Sequence, residues 1–550
     1  MDFLTQLFTN ATQDEDLKLE EALEASIGNK ELLPFNCIPK VIGTLPRLYR
    51  RGSSPTSKIK DHFNDLPSLK RLYIDKALLS LYSSYTPKET ASVVIFTWVI
   101  GDGWGDYFAQ IETAKVLRKQ FPNLTIQLLT LVHDKQTLPK TECSFPHILL
   151  PYHADPKVGW EKASCKTFSP QVIAVLQRAS LILQIPTCFP HAKQLLADVT
   201  GPKHELVGEG GWIDTPHFHP NTGARCMGLH FLEKGIFIKE MPKTDFFAAS
   251  KQLDERLISA LFGKRQPTKK QISAYIASHR FNLAYIRYDS GLYLYIHALL
   301  KSLEKDQKDI DICFFNLKHL LNNFESQYRG IFEKYGIGNA TLFYQGNTTN
   351  IPISSKGKAL KLIHLEKVNH EHYLTLVSLA QDLVGCRGDG SIFEAISASK
   401  IFFLVIPYHE RTFLKDLIAL ATYLLPNHPQ AIAYLKLFLS LPQMLSSPSN
   451  NAEWVEDLEP PPIFTLQELG EAMGELLQSP QIAEGFTILN TTIQQNYAFN
   501  PVLCNLTQRA LCHYDNPHLA ILESVALDSY LHGEKSAREA LLDIKNLTSI

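Results

Sequence analysis

Apolar positions change rhythm several times along the chain. From Ser92 to Val99 nearly every residue is β-branched or aromatic, the pattern of a strand covered on both faces. Phe108, Ile111, Ala114, Leu117 and Phe121 then recur at helical spacing, which predicts an amphipathic helix over Tyr107–Gln120, ended by Pro122-Asn123. Leu124–Val132 is a second apolar run. Strand, loop, helix and strand in this order form the opening unit of a doubly wound sheet. Further strands are predicted at His147–Leu150, Leu181–Ile185, Glu205–Val207 and Ile236–Ile238, with a helix at Pro170–Ala179.

Residues 262–272 carry Gly263, Pro267 and four basic residues and read as a linker. The same grammar then restarts. Strands are predicted at Phe281–Arg287, Asp311–Phe315, Ala340–Tyr344, Leu360–Leu365, Leu383–Gly385 and Ile401–Ile406. Helices are predicted at Leu292–Glu304, Leu320–Tyr335, His372–Ala380 and Ser391–Ala398. Ahead of this, Leu17–Ala25 and Leu69–Tyr85 have helical character; after it, residues 465–550 read as several amphipathic helices. The expected organisation is a helical N-terminal extension (1–90), a first α/β domain (91–265), a second (273–430) and a helical C-terminal region (431–550).

Composition narrows the function classes. The chain has 550 residues, 45 % hydrophobic and 20 % charged, which is globular rather than disordered. Lys+Arg 54 against Asp+Glu 56 leaves a formal charge of −2. No basic excess points to nucleic acid, although a local basic pocket for a phosphorylated small molecule is compatible with it. Nine cysteines include no C-x-x-C pair, which argues against zinc ribbons and for a reducing, cytoplasmic compartment. The first residues show no basic segment followed by an apolar one, so no secretory signal is read there. No apolar run approaches the ~18 residues of a membrane span.

Two loops carry the candidate chemistry. Gly101-Asp-Gly-Trp-Gly-Asp106 lies between a buried strand and a helix, where glycines allow a tight turn and close ligand approach. The spacing departs from the G-x-G-x-x-G dinucleotide fingerprint, and no acidic residue closes the second strand, which argues against nicotinamide binding. Asp106 is read either as a helix N-cap or as a base; Gly103, Gly105 and Glu209 would line an acceptor cleft.

The other loop is Arg387-Gly-Asp-Gly-Ser391, between a short strand and a helix that carries Glu394. Arg387, Gly388, Gly390 and Ser391 would hold phosphate, and Glu394, one turn on, would accept the two hydroxyls of a ribose. The alternative is a Gly-rich turn with Glu394 complementing the helix dipole. Arg287, Ser290 and Gly291, after the first strand of the second domain, are further donor-site candidates, against a plain capped turn.

Asp382-Leu383-Val384, Arg387-Gly388, Ser391 and Glu394-Ala395 resemble the nucleotide-binding segment of inverting GT-B glycosyltransferases. The Gly105-Asp106 loop and the helix ending in Leu117-Arg-Lys-Gln-Phe-Pro122 are similar to the first loop of heptosyltransferase-type members. The resemblance spans roughly residues 91–430. It departs at Ser399-Lys400, where the family often has a Gly-x-Pro turn. It implies two Rossmann-like domains facing a cleft, a nucleotide-diphosphate sugar as donor, no cofactor or metal, and Asp106 as catalytic base. Retaining members often carry two glutamates seven residues apart; Arg387 stands seven before Glu394, which favours inversion. The alternatives are a sugar-nucleotide epimerase of the same fold and an inactive scaffold that binds a partner protein. The helical additions make a protein acceptor, and delivery as a bacterial effector, compatible with this reading.

Asp309-Ile-Asp311 matches a metal-binding D-x-D but opens a strand, where a solvated strand entry is expected. His364, His370, His372 and His409 surround the second loop without the spacing of a zinc site.

Overall fold

A computed structural model describes residues 74–99, 105–133, 144–152, 168–186, 196, 199–208, 218–219, 224–229, 233–286, 289–315, 324–344, 347–365, 368–405, 411–440 and 465–548. The N-terminal helix expected at Leu17–Ala25 and the polar loop near 445–462 lie outside these residues. The chain forms two compact units. The first is built from residues up to Ile236 and from Ala498 onward; the second runs from Phe237 to Tyr497.

The first unit contains β1 (Ser92–Val99), α1 (Gly105–Gln120), β2 (Thr125–His133), β3 (His147–Tyr152), α2 (Pro170–Arg178), β4 (Leu181–Gln184), β5 (Lys203–Gly208), β6 (Phe218–His219) and β7 (Ala224–Cys226). Its sheet runs β3-β2-β1-β4-β5-β7-β6, parallel except for β6 against β7. The apolar run that predicted β1 is explained by its central place, with Val93, Ile95, Phe96 and Val99 fully enclosed. Phe96, Trp98, Leu129 and Leu131 meet Val172 and Leu176 of α2 in one core.

The second unit opens with α3 (Phe246–Ala249), α4 (Glu255–Phe262) and α5 (Lys269–Ser278). There follow β8 (His279–Ala284), α6 (Asp289–Ser302), β9 (Asp309–Phe315), α7 (Phe324–Lys334), β10 (Ile337–Tyr344), β11 (Asn347–Pro352) and β12 (Lys358–Leu365). The unit continues through α8 (His370–Leu379), β13 (Val384–Cys386), α9 (Asp389–Ser397), β14 (Phe402–Leu404), α10 (Arg411–Leu424) and α11 (Pro429–Leu437). The order is β11-β10-β12-β9-β8-β13-β14, again parallel but for one edge strand, β11. Two doubly wound α/β sheets are therefore present, as expected.

Three details differ from the sequence reading. The basic segment 262–272 is not the joint between the units. Gly263 closes α4 in the left-handed conformation (φ 70°), and a capping box of Thr268 with Gln271 starts α5, so the segment is a helix-to-helix turn inside the second unit. Ile236–Ile238 is not a strand; Ile236 makes a single bridge to Ala498, where the chain returns to the first unit. β11 was missed because Asn347-Thr-Thr-Asn is polar and exposed, as an edge strand can be.

The helical tail is divided between the units. α12 (Leu466–Leu477) and α13 (Pro480–Asn496) belong to the second; α14 (Phe499–Asp515), α15 (Pro517–Leu531) and α16 (Ala537–Thr548) belong to the first. α12 lies against α6 through Gly470 and Gly474. A Cβ at Gly470 would stand 2.8 Å from the His297 ring, and one at Gly474 2.4 Å from Lys301 Cβ. α14 brings Arg509 to Glu205 of β5 at 3.3 Å, and its Gln508 amide donates to the carbonyls of Ser83 and Tyr85. The buried Tyr82 hydroxyl donates to Glu523 of α15, which also receives Arg509. Among the described residues no helix is long and apolar enough to cross a membrane.

Candidate functional site

In each sheet the strand order reverses beside the first strand of the unit, at β1/β4 and at β8/β13. Connections leave to opposite faces there, opening a crevice beyond the carboxyl ends of the strands, the usual ligand position in open α/β sheets. Both candidate loops start at such ends.

In the second unit, β13 runs into Arg387-Gly388 and then α9. The Ser391 hydroxyl folds back on the turn, accepting from the N–H groups of Arg387 (3.0 Å) and Gly388 (3.2 Å) and donating to Gly388 O (2.7 Å). Asp389 Oδ1 accepts from Gly390 N–H at 2.7 Å. The loop therefore satisfies these three amides internally. Gly390 itself has open space where a Cβ would be. Burial and the Glu394 charge push the half-buried Asp389 carboxyl up, against the pull of Gly390 N–H and Lys239.

Glu394 is buried. Lys239 Nζ donates to its Oε1, and His370 Nε2 donates to the same oxygen at 2.6 Å. Burial alone would raise this carboxyl; Lys239 and His370 outweigh it and hold it at about 2. Neither partner was singled out with Glu394 from the sequence. His370 was noted only as a nearby histidine, and Lys239 lies 155 residues away with no local pattern to signal it.

Arg387 is half-buried, its guanidinium carbon 5.9 Å from the ring centroid of Tyr285. It makes no ion pair and no side-chain hydrogen bond among the described residues. Tyr285, Phe315 and Tyr373 meet edge-to-face at 5.3–5.9 Å around this point, at the ends of β8 and β9 and on α8. These aromatics were also not anticipated, since each reads locally as strand or helix core.

The remaining candidates have other surroundings. Gly291 is buried where a Cβ would meet Ile286 and Val405 at 2.9 and 3.0 Å, so close packing of α6 on the sheet requires a residue this small. Ser290 lines a recess of about 260 Å³ with Tyr293, Leu466 and Gln467. Arg287 lies outside the described residues. Asp382 pairs with Arg280 at 3.5 Å near the amino ends of the strands, away from Arg387. Asp309 accepts from Ala359 N–H at 2.7 Å and Asp311 lies buried against His279.

In the first unit, Gly105 and Asp106 begin α1; Gly101, Gly103 and Glu209 lie outside the described residues. Gly105 is exposed and Asp106 half-buried. One turn on, the buried Gln110 amide donates to Ile95 O (2.7 Å) and Leu129 O (3.0 Å), and its carbonyl accepts from Thr130 Oγ1 (2.6 Å). This fixes the start of α1 on β1 and β2. Thr130 Oγ1 also lies 2.7 Å from His147 Nε2, whose ring stacks on Tyr107.

No family model matches the chain, and no curated protein matches it. Among solved structures it is similar to MurG of Acinetobacter baumannii, with 11 % identity and a TM-score of 0.30 over 70 % of this chain and 95 % of that one. It is also similar to Anabaena Alr3699/HepE in complex with UDP and glucose, with 12 % identity and a TM-score of 0.38 over 77 % and 99 %. The E. coli heptosyltransferase WaaC with ADP gives 10 % identity and a TM-score of 0.26 over 58 % and 92 %. Likeness at this level transfers no substrate and no residue role.

Proposed function

We propose that this chain is a glycosyltransferase that takes a sugar from a nucleotide-diphosphate donor held by the second unit. The observation that carries the reading is Arg387, a half-buried guanidinium at the strand-order reversal with no anionic partner among the described residues. A cation left unpaired in such a place suits a phosphate, which it can meet bidentately. Glu394 stands one turn into the same helix with Oε2 unbonded among the described residues, suited to a ribose diol. The amides of Gly388 and Gly390 join in when Ser391 and Asp389 turn away from them.

In the proposed step the acceptor oxygen or nitrogen forms a bond to the anomeric carbon. The bond from that carbon to the donor phosphate oxygen breaks, and the diphosphate leaves with its electron pair. Asp106, at the start of α1, receives the acceptor proton. A single attack inverts the anomeric centre. Arg387 balances the charge that develops on the leaving diphosphate. The acceptor is proposed to be a hydroxyl or amine, with a protein among the candidates.

The test is ligand-dependent stabilisation of the full chain. A nucleoside diphosphate at about 100 times its dissociation constant should stabilise the fold by about 2.7 kcal/mol. UDP, ADP and GDP are screened by thermal shift on the native sequence and on Arg387→Ala. A shift in the former that vanishes in the latter, with the unliganded midpoint unchanged, supports the site. The absence of a shift with every diphosphate, or an equal shift in Arg387→Ala, rejects it.

A further inference from the structure

We infer that Lys239 and His370 are positioning residues that clamp one oxygen of Glu394 so that the other is presented to a ribose diol. The inference rests on the donor-site reading above. Lys239 lies in the segment that opens the second unit; its backbone N–H donates to Ser397 Oγ at 3.0 Å and its side chain reaches Glu394. Lys239 is thus tied to α9 at two points, once through its backbone and once through its ammonium. His370 is the first residue of α8, whose start is fixed by the Asn369 side chain accepting from His372 N–H. Both donors converge on Oε1. Oε2 receives no hydrogen bond among the described residues, although the residue as a whole is 5 % exposed.

A carboxylate held this way differs from one that merely neutralises a lysine. An ion pair serving stability alone gains from using both oxygens. Here one edge carries both cationic or polar donors and the other edge has none. The Tyr373 hydroxyl nearby is buried and also lacks a partner. That hydroxyl is unspent, which is costly unless a ligand uses it, while Glu394 Oε2 is not enclosed and stays accessible to one. The groups facing Glu394 are Lys239, His370 and Tyr373, Cys386 from β13 and Asp389 from its own helix. Without Lys239, burial and the Asp389 charge act on Glu394 with only His370 to oppose them.

The experiment compares UDP and ADP with their 2′,3′-dideoxy counterparts by calorimetry between pH 5.5 and 8, on the full chain. The native protein should prefer the ribo form by about tenfold or more, with little change across this pH range. Lys239→Met should lose most of that preference, and what remains should decline as pH falls. Lys239→Arg should restore it. His370→Asn, which removes one of the two donors, should show an intermediate loss and replaces Lys239→Met if that variant does not fold. A preference that is the same in Lys239→Met, His370→Asn and the native protein at every pH overturns the inference while leaving the donor site standing. Binding of neither diphosphate by the native protein overturns the donor-site reading and the inference with it.

Discussion

Ser399 shows how a single position can be legible as a departure yet opaque as to cause. The resemblance marked Ser399-Lys400 as the place where a Gly-x-Pro turn is usual. In the structure Ser399 has φ 55°, the left-handed region that glycine enters freely and serine does not. Lys400 sends its ammonium to the carbonyls of Ser378 and Ala380 at the end of α8, and Gln494 of α13 donates to Ser399 Oγ and Ile396 O. Long-range partners hold the turn that a glycine would make locally, and no sequence window contains them. Ser399→Gly should therefore raise stability by about 1 kcal/mol, less what the Gln494 contact contributed, measurable as a higher unfolding midpoint. Asp389 yields a second expectation. Its carboxylate occupies the Gly390 amide at the point where phosphate is proposed to sit. Asp389→Asn removes a like charge from the anion, so UDP should bind several-fold tighter in calorimetry; weaker binding would show that the carboxylate assists the ligand.

The strands were read from the sequence because a buried parallel strand has an apolar centre, as in Val93–Phe96 of β1, Leu128-Leu129 of β2 and Ile312–Phe315 of β9. The helix pairing was not, because it depends on two glycines meeting a helix far earlier in the chain. Gly470 and Gly474 on α12 let it approach α6 until His297 and Lys301 fill the space a Cβ would take. Gly470→Ala gains helix propensity of roughly 1 kcal/mol but drives a methyl into the His297 ring. The clash should win, and the second unit should unfold at a lower temperature than in the native protein. His297 is buried there, with its Nδ1 3.2 Å from the Tyr335 hydroxyl, and burial holds the imidazole down to about 4. Its folded-state value lies below the ordinary 6.5, so its stabilising contribution is complete above pH 6.5 and is lost as pH falls from 6.5 through 4. Glu394 and Glu523, both held at about 2, contribute above the ordinary carboxylate range and lose that contribution between about pH 4.5 and 2. Urea unfolding as a function of pH should accordingly weaken in two stages, the first of which shrinks in His297→Gln to the part due to His147, whose imidazole burial also holds down.

The division of the tail is the main thing the pattern of residues did not disclose at the level of the molecule. Amphipathic spacing correctly indicated helices over 465–550, but it could not say against which sheet each would lie. α14 and α15 complete the first unit through Arg509, Glu523 and Tyr82 rather than forming an appendage. Removing Ala498–Ile550 should strip cover from β4 and β5 and abolish cooperative unfolding of the first unit, as read by calorimetry. The segment 237–497, which contains one whole unit, should fold when expressed alone. The candidate site was legible only as far as its local part, Arg387 to Glu394. Its charge balance comes from Lys239 and His370, which the fold alone brings to the same carboxylate.

A discontinuous first unit also imposes an order on biosynthesis. Its central strands leave the ribosome early, but the helices that cover β4 and β5 follow only after residues 237–497 have been made. At roughly 5–20 residues per second, that delay is on the order of 10 to 50 s. Throughout that interval β4 and β5 lack the cover that α14 later supplies. The second unit can finish first, so the part of the chain synthesised first is the last to mature and the one for which a chaperone has the longest opportunity to act.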